Sequence, residues 1–524
     1  MTTAAWPRPR PRPRRLLQPG CLRSLGHGLC SRCLFLLLCF LVVAFASISS
    51  AGRVVTSLPG FDGDLPFHLE TGYVEVDEDA SVELFYYFVR SESGAGSDAP
   101  FLFWLTGGDR CSVLSGLAYE IGPIRFVLEP YDGTLPRLRF NQNSWSKVSH
   151  ILFVDSPVGA GFSFSRDPKG YDVGDISSTL QLRDFLIKWF SDHPEYLANP
   201  FYIGGDSNAG KIVPFLGQMI SEGIEVGRRP FPNLKGYLVG NAATGESIDS
   251  TSKVPYAHGV GIISDQLYET ILGHCQGEDY TNPANALCAQ ALDTFNSLIN
   301  EVQKSQILLD RCVYASPAPN VVSRMDGPDG RRILRAEMGR GMLNHPPARP
   351  PFGCITYGYY LSYFWANDKR TREALGIKKG TVDEWVRCHD GDLPYTKDLK
   401  SAIKYHRNLT SRGYRALVYS GDHDLLVPHL GTQAWVRSLN FPIVDEWRAW
   451  HLGGQAAGWV HDKLLQQHDV RDNQSTFSSI HIWYLVTNWN GFALELQGAG
   501  HTAPEYEPER CFAMFSRWIL NNPL

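Results

Sequence analysis

The chain has 524 residues, 43% of them hydrophobic and 20% charged, a balance that excludes a disordered polymer and allows one large core or two modest ones. Its formal charge of -5 moves to -12 once the seven arginines of residues 1–51 are set aside. So acidic a remainder argues against nucleic acid as a partner.

In chain order, residues 7–15 alternate Pro and Arg, residues 33–46 are almost wholly apolar, and Ser49-Ser50-Ala51 supplies small side chains. A basic lead, a short apolar stretch and a small-residue cleavage site describe a secretory signal peptide over 1–51. The competing reading is a retained anchor, but the apolar run is shorter than the ~20 residues a spanning helix needs. No later segment reads as membrane-spanning, so no stable span is expected after cleavage, and the secretory pathway is the expected compartment. Two sequons, at Asn408 and Asn473, fit that route.

Short apolar runs at Phe101–Leu105, Ile151–Val154, Phe201–Ile203, Gly236–Val239, Ala416–Tyr419 and Phe492–Leu496 read as buried parallel strands. Between them lie helical patterns. In residues 177–192, Leu182, Phe185, Leu186 and Trp189 share one face before Pro194 stops the helix. Strands alternating with helices predict an α/β fold with a mostly parallel sheet. The rhythm divides the mature chain into a first core half over 52–244, an inserted cap over 245–400, and a second core half over 401–524. Within the insert, Arg-rich 323–350 reads as an exposed, protease-accessible excursion.

Of eleven cysteines, Cys21, Cys30, Cys33 and Cys39 lie in the leader, and the remaining seven suggest three disulfides and one free thiol. No Cys/His spacing suits zinc and no phosphate loop is present, so neither metal nor cofactor is expected.

Chemistry concentrates at three strand ends. Residues 200–211 run from a strand through Gly204-Gly205-Asp206-Ser207-Asn208-Ala209-Gly210 into a helix, the context of a nucleophile elbow, although Ala209 replaces the second Gly of the strict pattern. Ser207 is also placed where a helix N-cap is common. A Ser hydroxyl needs an imidazole to take its proton, and the imidazole needs a carboxylate to fix its tautomer. The order Ser, Asp, His along the chain is met by the strand ending in Gly421-Asp422-His423-Asp424 and the one ending in Gly498-Ala499-Gly500-His501. From the residues alone, Asp422 competes with Asp424, and His423 with His501. Trp104-Leu105-Thr106-Gly107-Gly108 is suited to an oxyanion loop, with Asn208 as the second backbone donor, and reads equally as an ordinary Gly-Gly turn.

These blocks, together with Glu120-Ile121-Gly122-Pro123, Asp155-Ser156-Pro157-Val158-Gly159 and Gly500-His501-Thr502-Ala503-Pro504-Glu505, resemble the serine carboxypeptidase-like family from about residue 52 to the end. The resemblance implies an α/β-hydrolase fold with an inserted helical cap, catalytic Ser207, Asp424 and His501, and oxyanion donors at Gly108 and Asn208. It also implies disulfides Cys111–Cys388, Cys275–Cys288 and Cys312–Cys354, with Cys511 unpaired. Substrate-binding roles fall on Thr106, Gly107, Glu120 and Asp206. In the family's peptidases, an Asn and a Glu stand where this chain has Thr106 and Asp206, and they hold the substrate's C-terminal carboxylate. Thr has no amide donor, and Asp is one methylene short. Both changes resemble the plant acyltransferase branch, which moves an acyl group from a 1-O-β-glucose ester to a second metabolite. The expected partners are therefore a small-molecule donor and acceptor. A carboxypeptidase and a disabled relative are the alternatives. The branch also implies the vacuole, beside the extracellular space, and a two-chain form after loss of the 323–350 linker.

Two stretches depart from the family. Asp109-Arg110 replaces a usual Pro-Gly, read either as a charge tuning donor binding or as an exposed pair. Residues 459–490 form an atypical insertion, read either as a new wall of the acceptor pocket or as a product of splicing. Its place before His501 raises the expectation that it disturbs that histidine.

Overall fold

The computed structural model describes residues 52–94, 98–312, 349–389, 391, 393–463 and 491–524. The expected signal peptide, residues 323–348 of the expected linker, and Asn473 lie outside the described residues. Among the described residues, no helix is long and apolar enough to cross a membrane.

The main sheet is built from β1 (Arg53–Val55), β2 (Leu69–Asp77), β3 (Val82–Val89), β4 (Phe101–Leu105), β5 (His150–Val154), β6 (Pro200–Asp206), β7 (Asn233–Gly240), β8 (Arg415–Gly421), β9 (Ile443–Leu452), β10 (Gln455–Lys463) and β11 (Gly491–Leu496). Their spatial order is β1-β2-β3-β5-β4-β6-β7-β8-β11-β10-β9. The six central strands from β5 to β11 are mutually parallel. Antiparallel strands flank them on both sides. This is an α/β-hydrolase fold.

Strand β4 shows why the apolar runs had no alternation. Phe101 and Phe103 enter one core with Phe185 and Trp189 of α1 (Asp175–Asp192). Leu102 and Trp104 enter another, with Trp145 and with Phe515 of α8 (Pro508–Ile519). Both faces are covered, so every position is apolar. Each fully buried large side chain there contributes roughly 1.5–3 kcal/mol. Helix α1 buries the four residues its spacing predicted.

The region between β7 and β8 divides in two. Helices α3 (Asp265–His274) and α4 (Ala286–Ile299) close a small core of their own around Ile271, Leu292 and Phe295, bridged by Cys275–Cys288. Helix α5 (Tyr357–Asn367) instead sends Tyr357, Leu361 and Trp365 into the main core. The second half of the expected cap thus packs as part of the body. Two further helices, α6 (Ile403–Ser411) and α7 (His429–Ser438), flank β8 in sequence.

The expected insertion at 459–490 is corrected at its start. Residues 459–463 complete β10, which pairs with β9 through a Gly453-Gly454 turn and with β11. Lys463 is registered opposite Gly491, so the described chain ends and resumes at paired positions of adjacent strands. That junction is the start of β11, whereas His501 follows its end, so the two stand at opposite ends of the strand.

Candidate active site

Ser207 sits between β6 and α2 (Ala209–Glu225), at a φ of 53°. A left-handed non-glycine costs energy and persists only when its surroundings over-determine it. Here they do. Its N–H donates to Gly240 O at 2.9 Å, and its carbonyl accepts from Gly210 N at 3.0 Å and Ala243 N at 2.9 Å. The following helix is anchored by Lys211, whose Nζ donates to both oxygens of buried Asp175 at 3.0 Å; Tyr395 and the Leu399 N–H also donate to that carboxylate.

The loops after β8 and β11 bring the other two groups. His501 Nε2 lies 2.7 Å from Ser207 Oγ, and Nδ1 lies 2.8 Å from Asp424 Oδ2. The Ser hydroxyl can donate to Nε2 only if Nδ1 carries the ring proton, and Asp424 is placed to accept that proton. Fully buried Asp424 also accepts from Asn241 Nδ2 at 2.8 Å, Leu426 N at 2.7 Å and Val427 N at 3.1 Å. Burial lowers the pKa of His501, but the charge and hydrogen bond of Asp424 outweigh it, and the net shift is upward. Asp422 instead accepts from the Gly498 N–H at 2.7 Å, which makes it the turn-forming acid of the pair. His423 faces Gln306, 3.2 Å from its Nδ1.

A cleft of about 220 Å³ opens beside Ser207 and His501, walled on one side by Thr106, Gly107, Gly108, Glu120 and Asp206. Gly107 must be glycine, because a Cβ there would stand 2.4 Å from that of Ser207. Its N–H donates to Asp206 Oδ1 at 2.8 Å. Two buried oxygens of this wall, Thr106 Oγ1 and Asp206 Oδ2, have no hydrogen-bond partner among the described residues. Burial, opposed by the His501 charge and the Gly107 N–H, pushes the Asp206 carboxyl up to about 6. Burial, then the nearby Asp206 and Glu505, raise Glu120 well above the carboxylate range; it accepts from Trp104 Nε1 at 3.1 Å. Asn208 begins the helix and turns its side chain to Asp109, 3.0 Å away.

The rest of the lining was not foreseen from the sequence. It holds Tyr359, Arg387, Gln303 and Ser305. Arg387 stacks 4.2 Å from the Tyr359 ring centroid, and Tyr359 donates to Glu505 Oε2 at 2.6 Å. Glu505 ends the motif Gly500-His501-Thr502-Ala503-Pro504-Glu505, but nothing in the sequence patterns around Tyr359 or Arg387 marks them.

Residues 59–521 match the family model described as serine carboxypeptidase. The chain is 41% identical to serine carboxypeptidase-like 19 of Arabidopsis thaliana, across 94% of this chain and 98% of that one. Serine carboxypeptidase-like 7 of the same plant is 40% identical, across 93% and 98%. The chain belongs to the serine carboxypeptidase family. Among solved structures, the yeast carboxypeptidase Kex1Δp, described as prohormone-processing, aligns with a TM-score of 0.61 at 18% identity, covering 87% of this chain and 91% of that one, which speaks for the shared fold.

Other family features find their places. The bridges Cys111–Cys388, Cys275–Cys288 and Cys312–Cys354 are formed, and Cys511 is a buried free thiol. Asn408 is exposed on α6. The Asp109-Arg110 departure is corrected. Arg110 is 1% exposed and donates to the carbonyls of Val158, Tyr171 and Pro394, so it braces loops rather than meeting donor or solvent. Asp109 pairs with Lys397 at 3.0 Å.

Proposed function

We propose that this serine carboxypeptidase-like protein is an acyltransferase that moves an acyl group from a 1-O-β-glucose ester to a hydroxyl of a second metabolite. Ser207 Oγ attacks the ester carbonyl while His501 Nε2 takes its proton, and Asp424 stabilises the imidazolium. The backbone N–H groups of Gly108 and Asn208 receive the oxyanion of the tetrahedral intermediate. As that intermediate collapses, His501 returns the proton to the glucose oxygen and the sugar leaves. The acceptor hydroxyl then gives its proton to His501 and attacks the acyl-enzyme. Collapse of the second intermediate breaks the bond to Ser207 Oγ, which regains the proton.

The observation that carries this reading is the wall at Thr106 and Asp206. The shortened acid is tied back to the Gly107 backbone, and its other oxygen and the Thr106 hydroxyl are buried in the wall of the cleft with no hydrogen-bond partner among the described residues. The Asp206 oxygen can accept from a ligand hydroxyl but not from an ionised carboxylate, which carries no donor, and leaving it unmet costs about 1–3 kcal/mol. A second reading, a serine carboxypeptidase, is favoured by one feature: Arg387 is a cation on the same cleft. Within the proposal, residues 1–51 direct the chain to the vacuole or outside, and loss of the 323–350 linker yields two chains. Offering the purified protein an acyl glucose with an alcohol acceptor, beside a blocked dipeptide, separates the readings. Ester transfer without amino-acid release is expected. Dipeptide cleavage without transfer would overturn the proposal.

A further inference from the structure

Residues 303–307 run from the end of the small core around α3 and α4 to the Cys312–Cys354 bridge. They lie across both loops that bear the Asp and the His. The Ser305 carbonyl accepts from the His501 N–H at 2.7 Å. On the other side, Leu425 N donates to Lys304 O at 2.9 Å, and Ile307 N donates to His423 O at 3.1 Å. The His501 main chain is therefore held by the insert, and the residues flanking Asp424 are held by the same five-residue stretch.

Side chains close the arrangement. Gln306, 5% exposed, donates from Nε2 to Gly498 O at 2.9 Å and lies 3.2 Å from His423 Nδ1, so one amide touches both loops. Gln303 Oε1 accepts from Cys312 N at 3.2 Å, and its Nε2 donates to Ser305 Oγ at 2.9 Å, which links the bridge to the residue under His501. Gly500 supplies independent evidence of close fit. A Cβ there would stand 2.2 Å from Ser305 O and 2.9 Å from Gln306 Cβ, so the residue before the histidine is bare where the insert lies on it.

We infer that residues 303–307 are a positioning strap that sets the His501 imidazole between Ser207 and Asp424, with Gln306 its principal positioning residue. The inference rests on the triad reading but not on the nature of donor or acceptor. The insert thus does more than wall the cleft: it completes the base. A misplacement of 1 Å costs about a hundredfold in comparable sites, and a strap that loosens without leaving costs less.

The test is the saturation kinetics of Ser207 labelling by a fluorophosphonate, which needs the activated hydroxyl and no knowledge of the substrate. In the full chain, Gln306→Ala is expected to lower the limiting labelling rate roughly tenfold or more, with the half-saturating concentration unchanged. Gly500→Ala, which pushes against the strap from the other side, is expected to do the same and serves if the first variant fails to fold. Leu292→Ala, a cavity in the small core that removes none of the strap's hydrogen bonds, is expected to lower Tm while labelling at the wild-type rate. Wild-type rates in both strap variants would overturn the inference, as would equal slowing in Leu292→Ala. A wild-type chain that takes no label would instead overturn the triad on which the strap depends.

Discussion

Ser207 and His501 are 2.7 Å apart yet are held by different parts of the molecule. The serine turn is fixed by the sheet itself, through Gly240 at the end of β7 and Ala243 just beyond it. The histidine turn hangs from β11 and is held from two sides, by Asp422 and His423 of the β8 loop and by Ser305 and Gln306 of the insert. The nucleophile therefore inherits the rigidity of the main core, while the base depends in part on that of a smaller one. Small cores are the less stable, so the base should be the first of the two to lose its place.

The largest expected effect removes the link between the two loops. Asp424→Asn should leave the His501 tautomer unfixed and lower acyl transfer and labelling by about 10³–10⁴-fold. Asp422→Asn should cost far less, because Asp422 only closes the turn at Gly498. Measuring both variants side by side decides which acid serves the histidine, and equal losses would remove Asp424 from its role.

An intermediate effect separates the two cores. Cys275→Ser with Cys288→Ser opens a short loop in the small core, at a cost of about 3 kcal/mol. Labelling should then fail at a lower temperature than the sheet melts, as followed by far-ultraviolet circular dichroism. A single shared transition would mean that the insert and the sheet unfold as one, and that the contrast between the two turns is empty.

Much of this was legible because it is repetitive physics. All six central strands announce themselves as apolar runs, and the order of strand-end Ser, Asp and His pointed to the residues that meet above the sheet. The outer strands were less legible. The β9–β10 hairpin carries a Gly453-Gly454 turn signal, but its second strand was read together with the stretch that follows it. Arg110 beside Asp109 looked like a surface pair, because nothing local reveals that three distant carbonyls converge on it. The strap was illegible for a deeper reason: Ser305 acts through its backbone carbonyl, which any residue would supply. Motifs report side chains, and a support made from main chain leaves no letter to read.

The smallest expected effect is a change of pH dependence, and it probes the base from the cleft side. His501 must be neutral to accept the Ser207 proton, so activity falls as pH drops through its pKa. Three groups act on that pKa besides burial, which lowers it: Asp424 raises it by charge and hydrogen bond, Asp206 raises it by charge, and Lys253 lowers it. Since the net shift is upward, the acid limb should lie above the range of a free imidazole. Asp206 is the adjustable member, because its own carboxyl titrates at about 6. Asp206→Asn keeps the side-chain oxygen that accepts from Gly107 but removes the negative charge. His501 then becomes easier to deprotonate, and the acid limb of the labelling rate should move to lower pH. Donor binding shares the Asp206 wall, so labelling is the cleaner measurement than transfer. A limb that stays in place or moves upward would show that the Asp206 charge does not reach the imidazole, leaving its pKa to burial, Asp424 and Lys253.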